Sequence, residues 1–141
     1  MVASVEEAAV RSYWHAVWTN GDVSSVPAFY APTFLLNGEE TTTEQFAEGV
    51  VAWRAHFPDF GVSVDQLFSC RDIVVTRVLY RGTHRGDFKN VRATGRSIDV
   101  SGIDIFRFRD GKVVEHWHEA DHLEMFRQLG ADVMPTASPS S

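Results

Sequence analysis

Two periodicities divide the chain. Up to about residue 58 apolar positions recur at helical spacing, and from Val62 onward they alternate as in half-buried strands. Ser4 with Glu7 fits a capping box, which predicts a first helix from there to about Thr19. Ala9, Tyr13, Ala16 and Val17 form its apolar stripe, with Trp14 and Trp18 stacked four apart beside it. Asn20-Gly21 ends it, and Asp22 caps a short second helix through Tyr30. A strand, Thr33 to Leu36, leads to a glycine turn. Thr42 or Thr43 opens a third helix that stops before Pro58, with Phe46, Val50, Trp53 and Phe57 on its inner face.

Strands are then predicted at Val62 to Ser69, Ile73 to about His84, Arg96 to Arg109 and Lys112 to His118. A polar loop spans Gly86 to Gly95, and Asp110-Gly111 is a strong hairpin signal. Glu119 to Leu129 reads as a closing helix with Gly130 as its cap. Helices followed by an antiparallel meander give an α+β fold, a curved sheet wrapped on one face by helices. Such a sheet makes a cone with an apolar interior suited to a small ligand.

The chain's 141 residues suit one domain, expected over 1–130, with 131–141 as a frayed tail. A net charge of −6 argues against nucleic acid as the partner. No apolar run reaches the ~20 residues of a membrane span, and no basic-then-apolar leader opens the chain. The expected location is the cytoplasm. The single cysteine, Cys70, excludes an internal disulfide and reads as a small buried hydrophobe.

The chemistry concentrates in the last hairpin and helix. Asp104, His116, His118, Asp121 and His122 lie there, and half of the six histidines fall within seven residues. Buried charges and imidazoles are costly without a partner, and these groups move protons near neutral pH. Alternation puts Asp104 on one face with Val100, Gly102, Phe106 and Phe108, and puts Val114, His116 and His118 together. The turn decides whether they meet. A strict two-residue loop would set Asp104 opposite Trp117. A three-residue loop with Gly111 in a bulge would set it opposite His116 and diagonal to His118. The second register is preferred, because it aligns Phe106 and Phe108 with Val114. Trp117, Ile103 and Ile105 occupy the other face, as core or as a patch covered by a second subunit. His-x-His can grip a divalent ion, but the glycine-flanked motifs of cupin metal sites are missing, and no metal is expected.

Several segments together resemble the SnoaL-like polyketide cyclases of the NTF2-like superfamily. They are the aromatic first helix ending in N-G-D, then F-Y-A-P-T-F, H-F-P-D-F, Y-R-G-T-H-R-G-D-F, I-D-I-F-R-F-R-D-G-K-V-V-E-H-W and R-Q-L-G. The resemblance implies a cone-shaped α+β fold, a homodimer or homotetramer, and no metal or organic cofactor. It implies a hydrophobic, aromatic or polyketide-like substrate, closed into a ring by intramolecular aldol chemistry. In those cyclases an aspartate acts as acid and base beside a histidine. Aligned on D-G-K and R-Q-L-G, the aspartate position falls at His118 and the histidine position at Asp104, so the residue types are exchanged. Asp121 lies where those cyclases also carry an acid, and His84 matches the histidine of G-x-H-x-G.

The expectation is therefore an enzyme with His118 as general base, Asp104 orienting it and Asp121 at the rim. His84, His116, Trp14, Trp18, Trp53, Tyr13 and Phe106 are expected to hold the substrate. His122 reads as a helix-surface residue. A hydroxylase or hydrolase activating water or a substrate hydroxyl is the alternative, and a non-catalytic binding protein is a third reading. An epoxide-hydrolysing relative would use an Asp-Arg-Asp arrangement, for which Arg77 with Asp104 is a partial match.

Overall fold

A computed structural model describes residues 4–130; the expected tail, 131–141, lies outside the described residues. Helix α1 spans Val5–Tyr13, and its Ser4 hydroxyl accepts the Glu7 amide at 3.0 Å. The capping box is only half formed, because the Glu7 carboxylate accepts from the Ser69 hydroxyl instead. The helix continues as a π-helical turn, Trp14–Thr19. A short 3₁₀ turn, Val23–Ser25, and helix α2, Val26–Phe29, follow. Asp22 gives that turn no side-chain cap. Helix α3, Thr43–His56, is capped by Thr42, whose hydroxyl accepts the Gln45 amide at 3.1 Å.

Among the described residues six strands follow in chain order, β1 (Tyr30–Leu36), β2 (Glu39–Thr42), β3 (Gly61–Cys70), β4 (Ile73–Thr83), β5 (Ser97–Arg109) and β6 (Lys112–Ala120). Helix α4, His122–Gln128, closes the described chain. Its start is three residues later than the sequence pattern places it, since Glu119 and Ala120 continue the strand. The sheet order is β2-β1-β6-β5-β4-β3. It is mixed rather than antiparallel, because β1 runs parallel to β6. The sheet curves without closing, and its edges are β2 and β3. Glu39 and Glu40 put charge on the β2 edge, which opposes pairing with another sheet. The β1–β2 hairpin, absent from the sequence reading, turns on Asn37 and Gly38, both with positive φ.

The buried residues form one contiguous cluster. Val74, Val78 and Tyr80 of β4 and Ile98, Val100, Phe106 and Phe108 of β5 supply its floor. Tyr13, Trp14, Phe46, Val50, Met125 and Phe126 descend onto it from the helices. Cys70, expected inside, is exposed at the end of β3. No helix among the described residues is long and apolar enough to cross a membrane.

Candidate active site

The β5–β6 hairpin turns through Asp110 (φ 52°) and Gly111 (φ 78°), with Arg109 paired to Lys112. This is the two-residue loop, not the three-residue one preferred from sequence. The ladder then shifts by one residue after the Phe108–Val113 pair. A bulge at Val114 absorbs the shift, so Arg107 meets Glu115 and Asp104 meets His118. His116 is the diagonal neighbour, the reverse of the expected order. The bulge also turns Val113 inward in place of Val114. Because the bulge adds one residue, side-chain parity beyond it matches the three-residue prediction, and both histidines still face Asp104.

Asp104 is 0% exposed, and every bond its carboxylate makes is to a side chain of the sheet. Its Oδ2 accepts from His116 Nε2 at 2.7 Å and from His118 Nδ1 at 3.0 Å. Its Oδ1 accepts from the Tyr80 hydroxyl at 3.3 Å. Tyr80 reaches it over Gly102, where any Cβ would lie 2.7 Å from the Tyr80 ring. Thr76, across from Asp104 on β4, accepts the Trp14 indole N–H at 3.3 Å.

A second line of groups fixes His116 from behind. Its ring stacks on Phe106 with centroids 4.3 Å apart, and its Nδ1 lies 2.9 Å from the Tyr30 hydroxyl. Tyr30 Oη is also 2.9 Å from Tyr13 Oη, which accepts the Trp18 indole N–H at 2.8 Å. The π-turn makes that last contact possible. Residues five apart diverge on an α-helix but superpose on the wider π-turn, so Trp18 reaches Tyr13 instead of stacking on Trp14.

The proton arrangement follows from these partners. A carboxylate only accepts, so both imidazoles present N–H groups to Asp104. Burial by itself raises the Asp104 pKa, but the bonds from His116 and His118 outweigh it and hold the carboxyl below its ordinary range. Burial dominates at His116 and lowers its pKa against the pull of Asp104. His116 is then neutral, with Nδ1 an acceptor facing Tyr30. At His118 burial pulls downward, yet the bond and charge of Asp104 hold the ring above its usual value. Burial raises Tyr13, Tyr30 and Tyr80, keeping all three as phenols. His118 Nδ1 is engaged by Asp104, and its Nε2 has no partner among the described residues.

A cavity of about 360 Å³ opens over this group between the sheet, α3 and α4. Asp104, His116 and His118 line it, together with the predicted Tyr13, Trp14, Trp18 and Trp53. Three predicted residues stand elsewhere. His84 is buried beyond the cavity, where its Nδ1 accepts the Thr94 amide at 3.2 Å and its ring packs on Phe57. Asp121 is exposed and caps α4, accepting the Glu124 amide at 3.0 Å. Phe106 lies behind His116 rather than on the wall. Arg77 faces outward and pairs with Asp65 at 2.6 Å, so no Asp-Arg-Asp arrangement includes Asp104. His122 is exposed on α4, as read from the sequence, and also lines the cavity mouth, where burial followed by the charge of His118 lowers its pKa.

Sequence reasoning missed Tyr80, Tyr30 and Asn37. Tyr80 shares the inward parity of Val74, Thr76 and Val78, so alternation along β4 carried a signal. Asn37 carried one in its Asn-Gly turn. Its amide N–H donates to the His116 carbonyl at 2.9 Å, and its Oδ1 accepts the His118 amide at 2.8 Å. This turn therefore clips the strand that bears both histidines. Among the described residues no group of three or more His, Cys, Asp or Glu is arranged to hold a metal ion. The His-x-His pair converges on a carboxylate oxygen instead.

Comparison with known proteins agrees with this architecture. A search of curated proteins gives no match. Among solved structures, a candidate polyketide cyclase from Acidithiobacillus ferrooxidans is 26% identical with a TM-score of 0.85, covering 94% of this chain and 99% of that one. IdmH of Streptomyces antibioticus, also described as a candidate polyketide cyclase, is 27% identical with a TM-score of 0.81 over 90% of this chain and 99% of its own. AclR of Streptomyces galilaeus, described as a candidate hydroxylase, is 26% identical with a TM-score of 0.77 over 91% and 98%. The family model for the SnoaL-like polyketide cyclases matches residues 8–129, and the chain belongs to that family.

Proposed function

We propose that this protein is a cyclase that closes a ring in a polyketide-like carbonyl compound by general acid–base catalysis. One observation carries the reading. A fully buried carboxylate binds Nδ1 of His118 and leaves Nε2 unengaged on the wall of an apolar cavity. Nε2 removes a proton alpha to a carbonyl. The C–H electron pair becomes an enolate, which attacks a second carbonyl of the same molecule. The new alkoxide then recovers a proton, and His118 returns to neutrality. Asp104 fixes the tautomer and stabilises the imidazolium formed in between. The aromatic walls hold a flat substrate with its reacting carbons away from water. We propose further that residues 1–130 act as one domain and that two copies associate.

The likeness to AclR favours a second reading, in which His118 activates water or a substrate hydroxyl. Product mass separates the two. Aldol closure conserves mass or loses water, hydrolysis adds water and hydroxylation adds one oxygen. Retention of a ligand without turnover would leave a binding protein.

The test is exchange of alpha protons in an aryl β-ketone followed by NMR in deuterated water. His118→Ala and Asp104→Asn are each expected to slow it by ~10²-fold or more, the usual contribution of a positioned base. Loss of less than ~10-fold in both variants would refute the pair.

A further inference from the structure

Most polar side chains on the cavity wall are already engaged with one another. Asp104, His116 and Tyr80 form the central group, Trp18 donates to Tyr13, and Trp14 donates to Thr76. What remains for a ligand is His118 Nε2, the exposed His122 at the mouth, and a set of N–H donors. Asn37 Oδ1 accepts a backbone amide, that of His118, so its oxygen is assigned by chemistry and its Nδ2 is left without a partner among the described residues. Gln45 Oε1 accepts the Thr41 hydroxyl at 3.0 Å, which leaves Gln45 Nε2 in the same condition. Both residues line the cavity on the rim formed by the β1–β2 hairpin and α3. Deeper in, Trp53 lines the same cavity, and its indole N–H is buried with no acceptor.

A wall with a buried indole N–H that has no acceptor, and a rim with two exposed carboxamides whose N–H groups no described residue accepts, fits a ligand rich in acceptor oxygens. We infer that Asn37 Nδ2 and Gln45 Nε2 form an oxygen-binding subsite beside His118, which takes the carbonyl, and then the enolate, oxygen of a 1,3-dicarbonyl compound. The inference rests on the acid–base reading above and extends it. His118 takes the proton from the carbon between two carbonyls, and the two carboxamides donate to the oxygen on which the charge collects. Donors held in place before the charge develops stabilise it without reorganising. Asn37 is held rigidly, because its oxygen and its backbone amide are both tied to β6. A substrate with a single isolated carbonyl would leave part of this donor set unmatched.

The probe is 1-phenylbutane-1,3-dione, whose enolate absorbs at longer wavelength than its enol. Affinity is read from tryptophan fluorescence and ionisation from absorbance. Asn37→Asp keeps the acceptor for the His118 amide and tolerates the left-handed turn, but removes the donor. Gln45→Met removes the other donor with no change of charge. Each is expected to weaken binding by about 10- to 100-fold, the worth of a hydrogen bond to a charged oxygen, and to lower the bound enolate fraction. Unaltered melting curves would show that both variants remain folded. His118→Ala is expected to lose the enolate while holding the neutral diketone within a few-fold of the unaltered protein. Equal affinity in Asn37→Asp, Gln45→Met and the unaltered protein overturns the subsite. If those two variants bind weakly while His118→Ala still forms enolate, the subsite stands and the acid–base reading fails.

Discussion

At the scale of single residues, the fate of one proton distinguishes His118 from His116. Both imidazoles donate to the same oxygen of Asp104, yet burial keeps His116 neutral while Asp104 raises His118 above its ordinary value. His118 serves as a base only when unprotonated. Activity therefore falls as pH drops through its raised pKa, and it is retained above it. Asp104→Asn removes the charge that raises the pKa and leaves the burial that lowers it. The acid limb of the kcat/KM profile is expected to move to lower pH while kcat falls. An NMR titration of the His118 ring protons checks the same shift without substrate, and an unmoved titration would count against the pairing. Asp104 and His118 were legible as a pair because both stand on a recognisable hairpin and the preferred register put them on one face, although the face they share depends on the bulge at Val114. For Tyr80 and Asn37 only the inward parity and the turn were legible, not the partners they meet. Tyr80 reaches His118 across 38 residues of chain, and only strand order makes them neighbours.

At the scale of elements, two irregularities build the site, and neither is encoded by simple periodicity. The bulge at Val114 corrects the parity that the tight turn would otherwise reverse. The π-turn swings Trp18 over Tyr13, and both side chains reach the cavity wall. The expected three-residue loop reached the right face by the wrong route, because one extra residue in the turn or one in β6 restores the same parity while shifting the register in opposite directions. The end of the chain shows the opposite case. Asp121 was expected as an acid at the rim, but its geometry is that of a cap on α4. Asp121→Ala is expected to cost about 1 kcal/mol of stability, as losses of N-caps do. Asp121→Asn, which can still accept the Glu124 amide, is expected to restore most of that. Denaturant titration measures the first effect, and alpha-proton exchange is expected to be unchanged in the second variant. A large loss of exchange in Asp121→Asn would return it to the catalytic group.

At the scale of the molecule, the α+β cone was legible, but its mixed sheet was not. The parallel contact of β1 with β6 pairs Tyr30 with Val113, 83 residues apart in sequence, and no local pattern announces it. The other face of the sheet, away from the cavity, carries large exposed apolar side chains. Across this face one apolar row runs from Phe68 through Val75 and Ile105 to Trp117, with paired partners on each neighbouring strand. Phe68 is 58% exposed, Trp117 42% and Ile105 39%, and Ile103 beside them is 50% exposed. Charged pairs flank the row, Arg107 with Glu115 and Asp72 on one side and Arg77 with Asp65 on the other. A second copy related by a two-fold axis brings an identical apolar row and charges of both signs to each flank. We propose that the association of two copies uses this face, whose apolar row and flanking charges of both signs suit a symmetric contact. Light scattering across a dilution series is expected to show a dimer. Trp117→Glu and Ile105→Glu each place a charge in the row and are expected to shift it to monomer. Ile105→Glu is the cleaner variant, since Trp117 also packs 3.5 Å from the Cβ position of Gly38, in the turn that clips His118. A monomer in the unaltered protein at micromolar concentration would overturn the assignment. A dimer that survives both substitutions would move the interface to another face.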